Sequence, residues 1–139
     1  WYAVAPVAPM SQVVAQFNLD MIGRSEGSVQ GIAPAAPTLF EEAVQSGPRR
    51  GIDVIPDQQP TWRLIYLTDN YHFARAGVPG IFFFTGIHPD YHQVTDTADK
   101  IRYPELVRVA AVTYDISRPY IDGKARPAFQ RPQWFVTPE

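Results

Sequence analysis

Cysteine is absent from this chain of 139 residues, and methionine and histidine are scarce, with two and three copies. The absence of thiols excludes disulfide scaffolds, thiolate metal sites and cysteine nucleophiles. A surplus of charge of one sign is also lacking, since the formal net charge is −2 and no basic cluster occurs. Nucleic acids and anionic membranes attract basic surfaces. The sequence therefore predicts neither of them as the main partner.

Long hydrophobic runs are lacking as well. No segment approaches the roughly 20 apolar residues of a membrane helix. Residues 1–3 do not open a basic start followed by an apolar run, as a signal peptide would. The composition is that of a globular domain, with 45% hydrophobic and 19% charged residues. We expect one domain without a membrane span, in a compartment that these features leave undetermined.

Proline is the residue in excess. The chain has 14 prolines, about twice the usual share of roughly 5%, and they cluster at both ends and in connections. Residues 124–139 combine prolines with Phe129, Trp134 and Phe135, a pattern that predicts an extended tail lying over a surface. The folded unit is predicted to be residues 1–123.

Hydrophobic patterning predicts alternating strands and helices. Residues 80–84 are apolar without alternation, as in a strand buried on both faces at the centre of a parallel sheet. Before this strand, Asp69 is predicted to cap a short helix that ends at Gly77. The other predicted elements are a strand over 13–22, a helix over 37–47, a strand over 52–55 and a helix over 103–121. This order predicts an α/β fold.

Asp20 lies at the carboxyl end of the first predicted strand, and two interpretations fit it. Aspartate often accepts hydrogen bonds from backbone N–H groups in a turn. Open α/β sheets also collect functional groups at the carboxyl ends of their strands, which favours a metal ligand or a catalytic carboxylate. Position alone does not separate these two interpretations.

The turn that follows the apolar run holds two of the three histidines. His92 is a candidate ligand, because neutral imidazole is the commonest metal ligand in proteins. A ligating histidine usually donates its other N–H to a carboxylate, here Asp96 or Asp99. With Asp20, His92 offers one nitrogen and one oxygen, a pair suited to Zn²⁺ but only half of a tetrahedral shell. His88 is expected to shape the turn instead.

Two segments resemble a known family. Residues 18–24 read NLDMIGR, and residues 68–101 read TDNYHFARAGVPGIFFFTGIHPDYHQVTDTADKI. Their order and separation are similar to the carboxyl-terminal half of the M28 family of zinc aminopeptidases. The resemblance covers most of residues 12–121.

The resemblance implies a doubly wound α/β/α sandwich with a mainly parallel central sheet and two zinc ions that share a bridging water. Asp20 would bind one zinc and His92 the other. Tyr91 would stabilise the oxyanion that develops on the scissile carbonyl, and Asp69 would act behind the ligands or near the substrate amine. The implied substrate is a peptide with a free amino terminus, cleaved by metal-assisted hydrolysis. Many relatives are exported, which favours an exported protein.

Two departures from the family pattern stand out. The family segment Ser-Asp-His reads Thr68-Asp69-Asn70 here, so the family's histidine is replaced. The family's first histidine ligand, its bridging aspartate and its adjacent glutamate pair all precede the Asn-Leu-Asp motif. We therefore expect them in an amino-terminal half upstream of residue 1, and the fold of residues 1–139 to be incomplete on that side. The pair Glu41-Glu42 follows Asp20 and suits a solvated helix face.

Three functions remain open at this point. The first is an aminopeptidase that is active only with the upstream half. The second is a non-catalytic interaction domain, or an inactive fragment, that retains the peptidase fold. The third is glutaminyl cyclase chemistry with one zinc, although Tyr91-His92 and the run Phe-Phe-Thr-Gly are closer to the aminopeptidases. Because the sheet would lack a neighbour on one edge, we also expect the isolated chain to self-associate.

Overall fold

Four short strands form one mixed sheet in the computed structural model, which describes residues 2–3 and 5–133. The strands are β1 (Gln16–Leu19), β2 (Ser28–Ile32), β3 (Asp53–Ile55) and β4 (Gly80–Phe84), and their order in the sheet is β1-β4-β2-β3. β4 is parallel to β1 and antiparallel to β2, while β2 and β3 are parallel. The predicted central position of β4 is confirmed.

The antiparallel pairing of β2 with β4 differs from the parallel surroundings expected for β4. Only residues 20–27 separate β1 from β2. A parallel crossover needs a dozen or more residues, so β2 runs back against the direction of β1. Parallel pairing still accounts for two of the three strand contacts.

Three α-helices of the described residues cover the sheet. They are α1 (Pro37–Ser46), α2 (Asn70–Arg75) and α3 (Tyr103–Ile121). Both α1 and α3 have a proline in the first turn, where the missing N–H costs no hydrogen bond. The predicted bounds of α3 are confirmed, and α1 ends one residue before the predicted end.

The core has two layers, because alternate residues of β4 point to opposite faces of the sheet. Ile81 and Phe83 pack with Val109 and Val112 of α3 on one face, in a cluster that also contains Leu39 of α1. On the other face, Phe82 and Phe84 pack against Ile32 and Leu64. The helix α2 contacts both β4 and β1, with Ala74 in a small cluster beside Ile65. The predicted α/β fold is confirmed.

The first strand is shorter than the predicted span of 13–22. It ends at Leu19, and Met21 adopts a left-handed backbone conformation with φ 55°. Such a conformation is incompatible with a continued strand. The chain therefore turns directly after Asp20, and a short 3-10 helix (Ile22–Arg24) follows.

Residues 124–133 contain no helix or strand. Arg126 donates hydrogen bonds to the carbonyl oxygens of Gly77 (2.7 Å) and Ser11 (3.3 Å). The amide of Gln130 donates to the carbonyl oxygen of Ala35 at 2.9 Å, and Phe129 packs beside Ile65. The predicted contributions of Trp134 and Phe135 lie outside the described residues.

No helix in the described part of the chain combines the length and the apolar character needed to cross a membrane.

Candidate active site

The carboxyl ends of β1 and β4 meet at one edge of the sheet, and Asp20 lies there. The amide of Asp20 donates to the carbonyl oxygen of Phe83 at 3.2 Å, which extends the pairing of the two strands. The next carbonyl, of Met21, accepts the amide of Thr85 at 3.3 Å and also the Thr85 hydroxyl. Asp20 is thereby fixed beside the point where the chain leaves β4.

The carboxylate of Asp20 is exposed. No side chain or amide among residues 2–3 and 5–133 donates a hydrogen bond to it. A capping aspartate would accept at least one N–H from its turn. Asp20 therefore does not cap this turn, and its role as a metal ligand stays a prediction.

The segment 85–97, which we call the histidine loop, connects β4 to the elements before α3. Its second residue, Gly86, has a φ of 93°, a conformation that residues with a Cβ rarely adopt. Two turns follow, in which the amide of Tyr91 donates to His88 O and the amide of Gln93 to Asp90 O, both at 2.9 Å. These hydrogen bonds make the middle of the loop locally compact.

Tyr91 and His92 stack on each other within the histidine loop. Their ring centroids are 3.8 Å apart and the ring planes differ by 21°. Tyr91 is half-buried and His92 is exposed. The loop therefore presents an imidazole with a phenol directly against it, at the same edge of the sheet as Asp20.

The backbone is left-handed at two non-glycine positions of this edge. Met21 follows Asp20 with φ 55°, and His92 itself has φ 57°. Such conformations cost of order 1–3 kcal/mol each and cluster at functional sites. One left-handed residue thus directly follows the predicted ligand Asp20, and the other is the predicted ligand His92. Arg63 shares the conformation elsewhere (φ 50°).

An ionic network ties the histidine loop to the turn after Asp20. Nη2 of Arg24 contacts Oδ2 of Asp90 at 3.0 Å and Oδ1 of Asp96 at 2.5 Å. Nζ of Lys100 contacts Oδ1 of Asp90 at 2.6 Å. Hydrogen bonds from Lys100, then from Thr95 and Arg24, hold the pKa of the Asp90 carboxyl well below its usual range. The Asp96 carboxylate in turn raises the pKa of Arg24.

Asp96 was predicted as a hydrogen-bond partner of His92, with Asp99 as the other choice. The structure instead uses Asp96 to bind Arg24. Asp99 accepts a hydrogen bond from Thr97 and a backbone hydrogen bond, which lower the pKa of its carboxyl. Arg24 was not singled out from the sequence. The available signal was an arginine in one of the two segments that resemble the family and two aspartates in the other.

Asp69 lies away from this edge. It occupies the position before α2 but makes no capping hydrogen bond, so the predicted cap is wrong in its chemistry. Its neighbour Asn70 is buried and donates a hydrogen bond to Oε1 of Gln16. A Cβ on Gly80 would lie 3.2 Å from Nδ2 of Asn70. Gln16 and Gly80 begin β1 and β4, so this anchor is at the opposite ends of those strands.

The remaining candidates have local partners or none. His88 has a buried Nδ1 without a hydrogen-bond partner among the described residues, and His72 is exposed on α2.

Glu42 of the glutamate pair accepts the hydroxyl of Tyr120 at 2.9 Å and contacts Lys124. Burial, and then Glu42, raise the pKa of Tyr120. Glu42 therefore belongs to the packing of α1 on α3.

The side chains at this edge of the sheet would supply only part of the ligand set of a zinc ion. Asp20 and the loop of His92 reach the same edge and offer the oxygen and nitrogen donors that zinc accepts. Within the described ranges, however, no three His, Asp or Glu side chains come close enough together to hold a metal ion. The residues present fit part of a zinc site.

The sequence of this chain matches one protein family over most of its length. The family model described as "Peptidase family M28" matches residues 2–117. The chain belongs to peptidase family M28. A comparison with curated proteins found no match.

Two solved structures share the fold of this M28 chain. An aminopeptidase from Aneurinibacillus sp. strain AM-1 is 21% identical, with a TM-score of 0.60, over 99% of this chain and 31% of its own length. BSAP, a zinc aminopeptidase from Bacillus subtilis, is 18% identical, with a TM-score of 0.61, over 94% of this chain and 34% of its own length. The M28 chain thus spans about a third of each structure that it matches.

Proposed function

We propose that this M28 chain supplies one wall of the active site of a zinc-dependent aminopeptidase. The observation that carries the proposal is the meeting of Asp20 with the loop of His92 at one edge of the sheet. Membership of a peptidase family narrows the chemistry to peptide hydrolysis. The neighbours in structure, both aminopeptidases, support cleavage next to a free amino terminus.

Asp20 and His92 would hold the zinc, one for each of two ions. When bound, zinc polarises the scissile carbonyl and lowers the pKa of a water molecule. The left-handed backbone at Met21 and His92 supports this assignment, because strain is retained where a ligand's direction matters. Two protein ligands do not complete the coordination shell of either ion, so further ligands would come from an upstream segment.

Tyr91 would donate its hydroxyl hydrogen to the carbonyl oxygen as negative charge develops there. A donor that is already positioned stabilises the transition state more than the ground state. Stacking of Tyr91 on His92 supports this role, since it restricts the phenol to the neighbourhood of the proposed ligand. Asp69 would act indirectly, because the adjacent Asn70 is anchored at the opposite ends of the strands.

The upstream segment would dock on the side of β1 that faces away from β4. Among the described strands, β1 pairs with β4 alone. An unpaired strand edge is a template for another strand. The helix α3 also exposes Tyr103, Val107 and Tyr114, which are 57%, 61% and 56% accessible and share one helical face opposite the core. Without an upstream partner, we propose that the free edge of β1 drives self-association, which light scattering at several concentrations would detect.

The decisive experiment uses the complete protein, meaning this chain with any segment that precedes it. The variants Asp20→Asn and His92→Ala are compared with Asp53→Asn and His72→Ala, which change exposed residues of the same types outside the site. We expect the first pair to lose bound zinc and the release of amino-terminal residues, and the second pair to keep both. Full activity in both site variants would refute the proposal.

A non-catalytic binding domain is the second candidate. It is favoured by the absence, in the described part of the chain, of a cluster of three possible ligands. Metal analysis of the complete protein separates the two functions. About two zinc ions per chain support the peptidase, whereas a metal-free protein that folds normally supports the binding domain.

A further inference from the structure

We propose that Arg24 is a positioning residue that holds Asp20 and His92 in one fixed arrangement, an inference that rests on the proposed zinc peptidase function. Arg24 lies four residues after Asp20 in the chain. Its two partners, Asp90 and Asp96, lie on either side of His92, two residues before it and four residues after it. A single guanidinium therefore joins the turn of one proposed ligand to both flanks of the other.

The geometry of the contacts suits this task. The Arg24 side chain is only 19% exposed, as is that of Asp90. One nitrogen, Nη2, reaches both carboxylates, at 3.0 Å and 2.5 Å. Charge-assisted hydrogen bonds of a guanidinium have a preferred geometry. Partial burial protects the contact with Asp90 from screening by salt, whereas the Asp96 side chain is 44% exposed. The contact with Asp90 therefore restricts the direction of the loop as well as its distance.

The position of Arg24 is itself fixed. The amide of Arg102 donates to the carbonyl oxygen of Gly23 at 2.9 Å, which attaches the short 3-10 helix to the chain before α3. Lys100 binds the second oxygen of Asp90 at 2.6 Å. Two cations thus bind the carboxylates of Asp90 and Asp96, and the histidine loop is held on both sides of His92.

The strained conformation of His92 explains why the loop needs such a device. A left-handed non-glycine residue (φ 57°) persists only where its surroundings enforce it. The turn bonds of the loop act within the loop. The contacts of Arg24 cross from the loop to the turn of Asp20 and can set the separation between the two proposed ligands.

The test compares Arg24→Met and Arg24→Lys with Arg102→Met in the complete protein. Arg102→Met removes an exposed ion pair with Glu26 at the same edge and leaves the backbone contact to Gly23 intact. Three properties are measured: hydrogen exchange of residues 88–97, the rate of zinc loss to a chelator, and kcat and KM separately.

For Arg24→Met we expect faster exchange in residues 88–97 and zinc loss about 10- to 100-fold faster, the range for partners that orient metal ligands. We also expect kcat to fall by at least about tenfold with little change in KM. A displaced histidine loop would misplace the Tyr91 hydroxyl, which is proposed to stabilise the transition state. Arg24→Lys should be intermediate, since an ammonium keeps the charge but is more compact and more strongly hydrated than a guanidinium. Arg102→Met should match the wild type.

The outcomes separate the two proposals. If the wild type binds zinc and Arg24→Met changes neither exchange, zinc loss nor kcat, the role of Arg24 is refuted while the peptidase function stands. Loss of zinc and activity without a change in loop exchange also refutes it, as does wild-type behaviour of Arg24→Lys. A wild type that holds no zinc refutes the peptidase function, and the exchange data then report separately whether Arg24 orders the loop.

Discussion

The histidine loop and the layer of α1 and α3 on the sheet are held in place by different forces. The loop is largely exposed and depends on turns and on the contacts of Arg24 with Asp90 and Asp96. The helix layer depends on apolar packing around Phe83, which has no exposed surface. Charged contacts at a surface contribute little to stability, whereas burial contributes most of it. The helix layer therefore supplies most of the stability of this chain, and the histidine loop carries its proposed chemistry.

Phe83→Ala tests the helix layer and has the largest expected effect. Removing a fully buried phenylalanine leaves a cavity and lowers the free energy of unfolding by about 3–5 kcal/mol. Chemical denaturation of the chain measures this loss. Val94→Ala is the matched control in the histidine loop, where Val94 is 98% exposed, and should change stability by less than about 0.5 kcal/mol. Equal losses in both variants would contradict the separation of the two regions.

His92→Ala tests whether the histidine loop contributes a zinc ligand. We expect zinc affinity and kcat/KM of the complete protein to fall by more than about 100-fold, since losing even an outer partner of a ligand costs 10–100-fold. The free energy of unfolding in the absence of metal should stay within about 0.5 kcal/mol, because the side chain is exposed.

His92→Gly adds a second test at the same position. Glycine adopts a left-handed conformation without strain, so this variant should be at least as stable as His92→Ala while it also lacks the imidazole. A large loss of stability in both variants would show that His92 serves folding.

Asn70→Ala tests a polar contact inside the core. The change leaves Oε1 of Gln16 without its donor, which should lower the free energy of unfolding by about 2 kcal/mol. Asn70→His, which restores the histidine of the family segment, should also destabilise, because Gly80 lies against Nδ2 of Asn70. Denaturation curves of the two variants check both expectations, and a stabilised Asn70→His would show that room exists for the family's histidine.

Asp115→Asn tests an ion pair of the helix layer and has the smallest expected effect. The Asp115 carboxylate accepts hydrogen bonds from Arg50 at 2.5 Å and 2.8 Å and from Ser46 at 2.9 Å. Arg50, and then Ser46, lower the pKa of Asp115 to about 2. The variant should be less stable by about 1 kcal/mol at neutral pH, because the pair is partly exposed.

The pH dependence of this difference follows from the lowered pKa. A carboxyl with a depressed pKa in the folded state stabilises it above the unfolded value near 3.8. The advantage of the wild type over Asp115→Asn should therefore be complete above that value and disappear as the pH falls through about 2. Thermal unfolding of both proteins at a series of pH values measures this difference in stability. A difference that persisted below pH 2 would mean that the carboxylate charge is not its source.

Local patterns in the sequence were sufficient for the main elements. The unbroken apolar run of residues 80–84 predicted the central strand, and the apolar spacing within α3 predicted its bounds. Both follow from the period of the local backbone, which a sequence expresses directly. The motifs around Asp20 and His92 were also sufficient for membership of the family, because their order and spacing are specific.

Other features depended on contacts between distant residues. The direction of β2, the left-handed turn at Met21 and the placement of Asn70 against Gln16 and Gly80 were not predicted. Each arises where segments far apart in the chain compete for the same space or the same hydrogen bond, and local propensity does not record that competition.

Arg24 shows most clearly the difference between what local sequence predicts and what distant contacts determine. Its own sequence position marks it only as a basic residue after a strand. Its partners, Asp90 and Asp96, are 66 and 72 residues away in the chain, and Asp96 looked instead like a partner for His92. The sequence by itself determined which side chains are present near the carboxyl ends of β1 and β4. Only the tertiary structure decided which of them bind one another, because a charge pairs with whatever folding brings within reach.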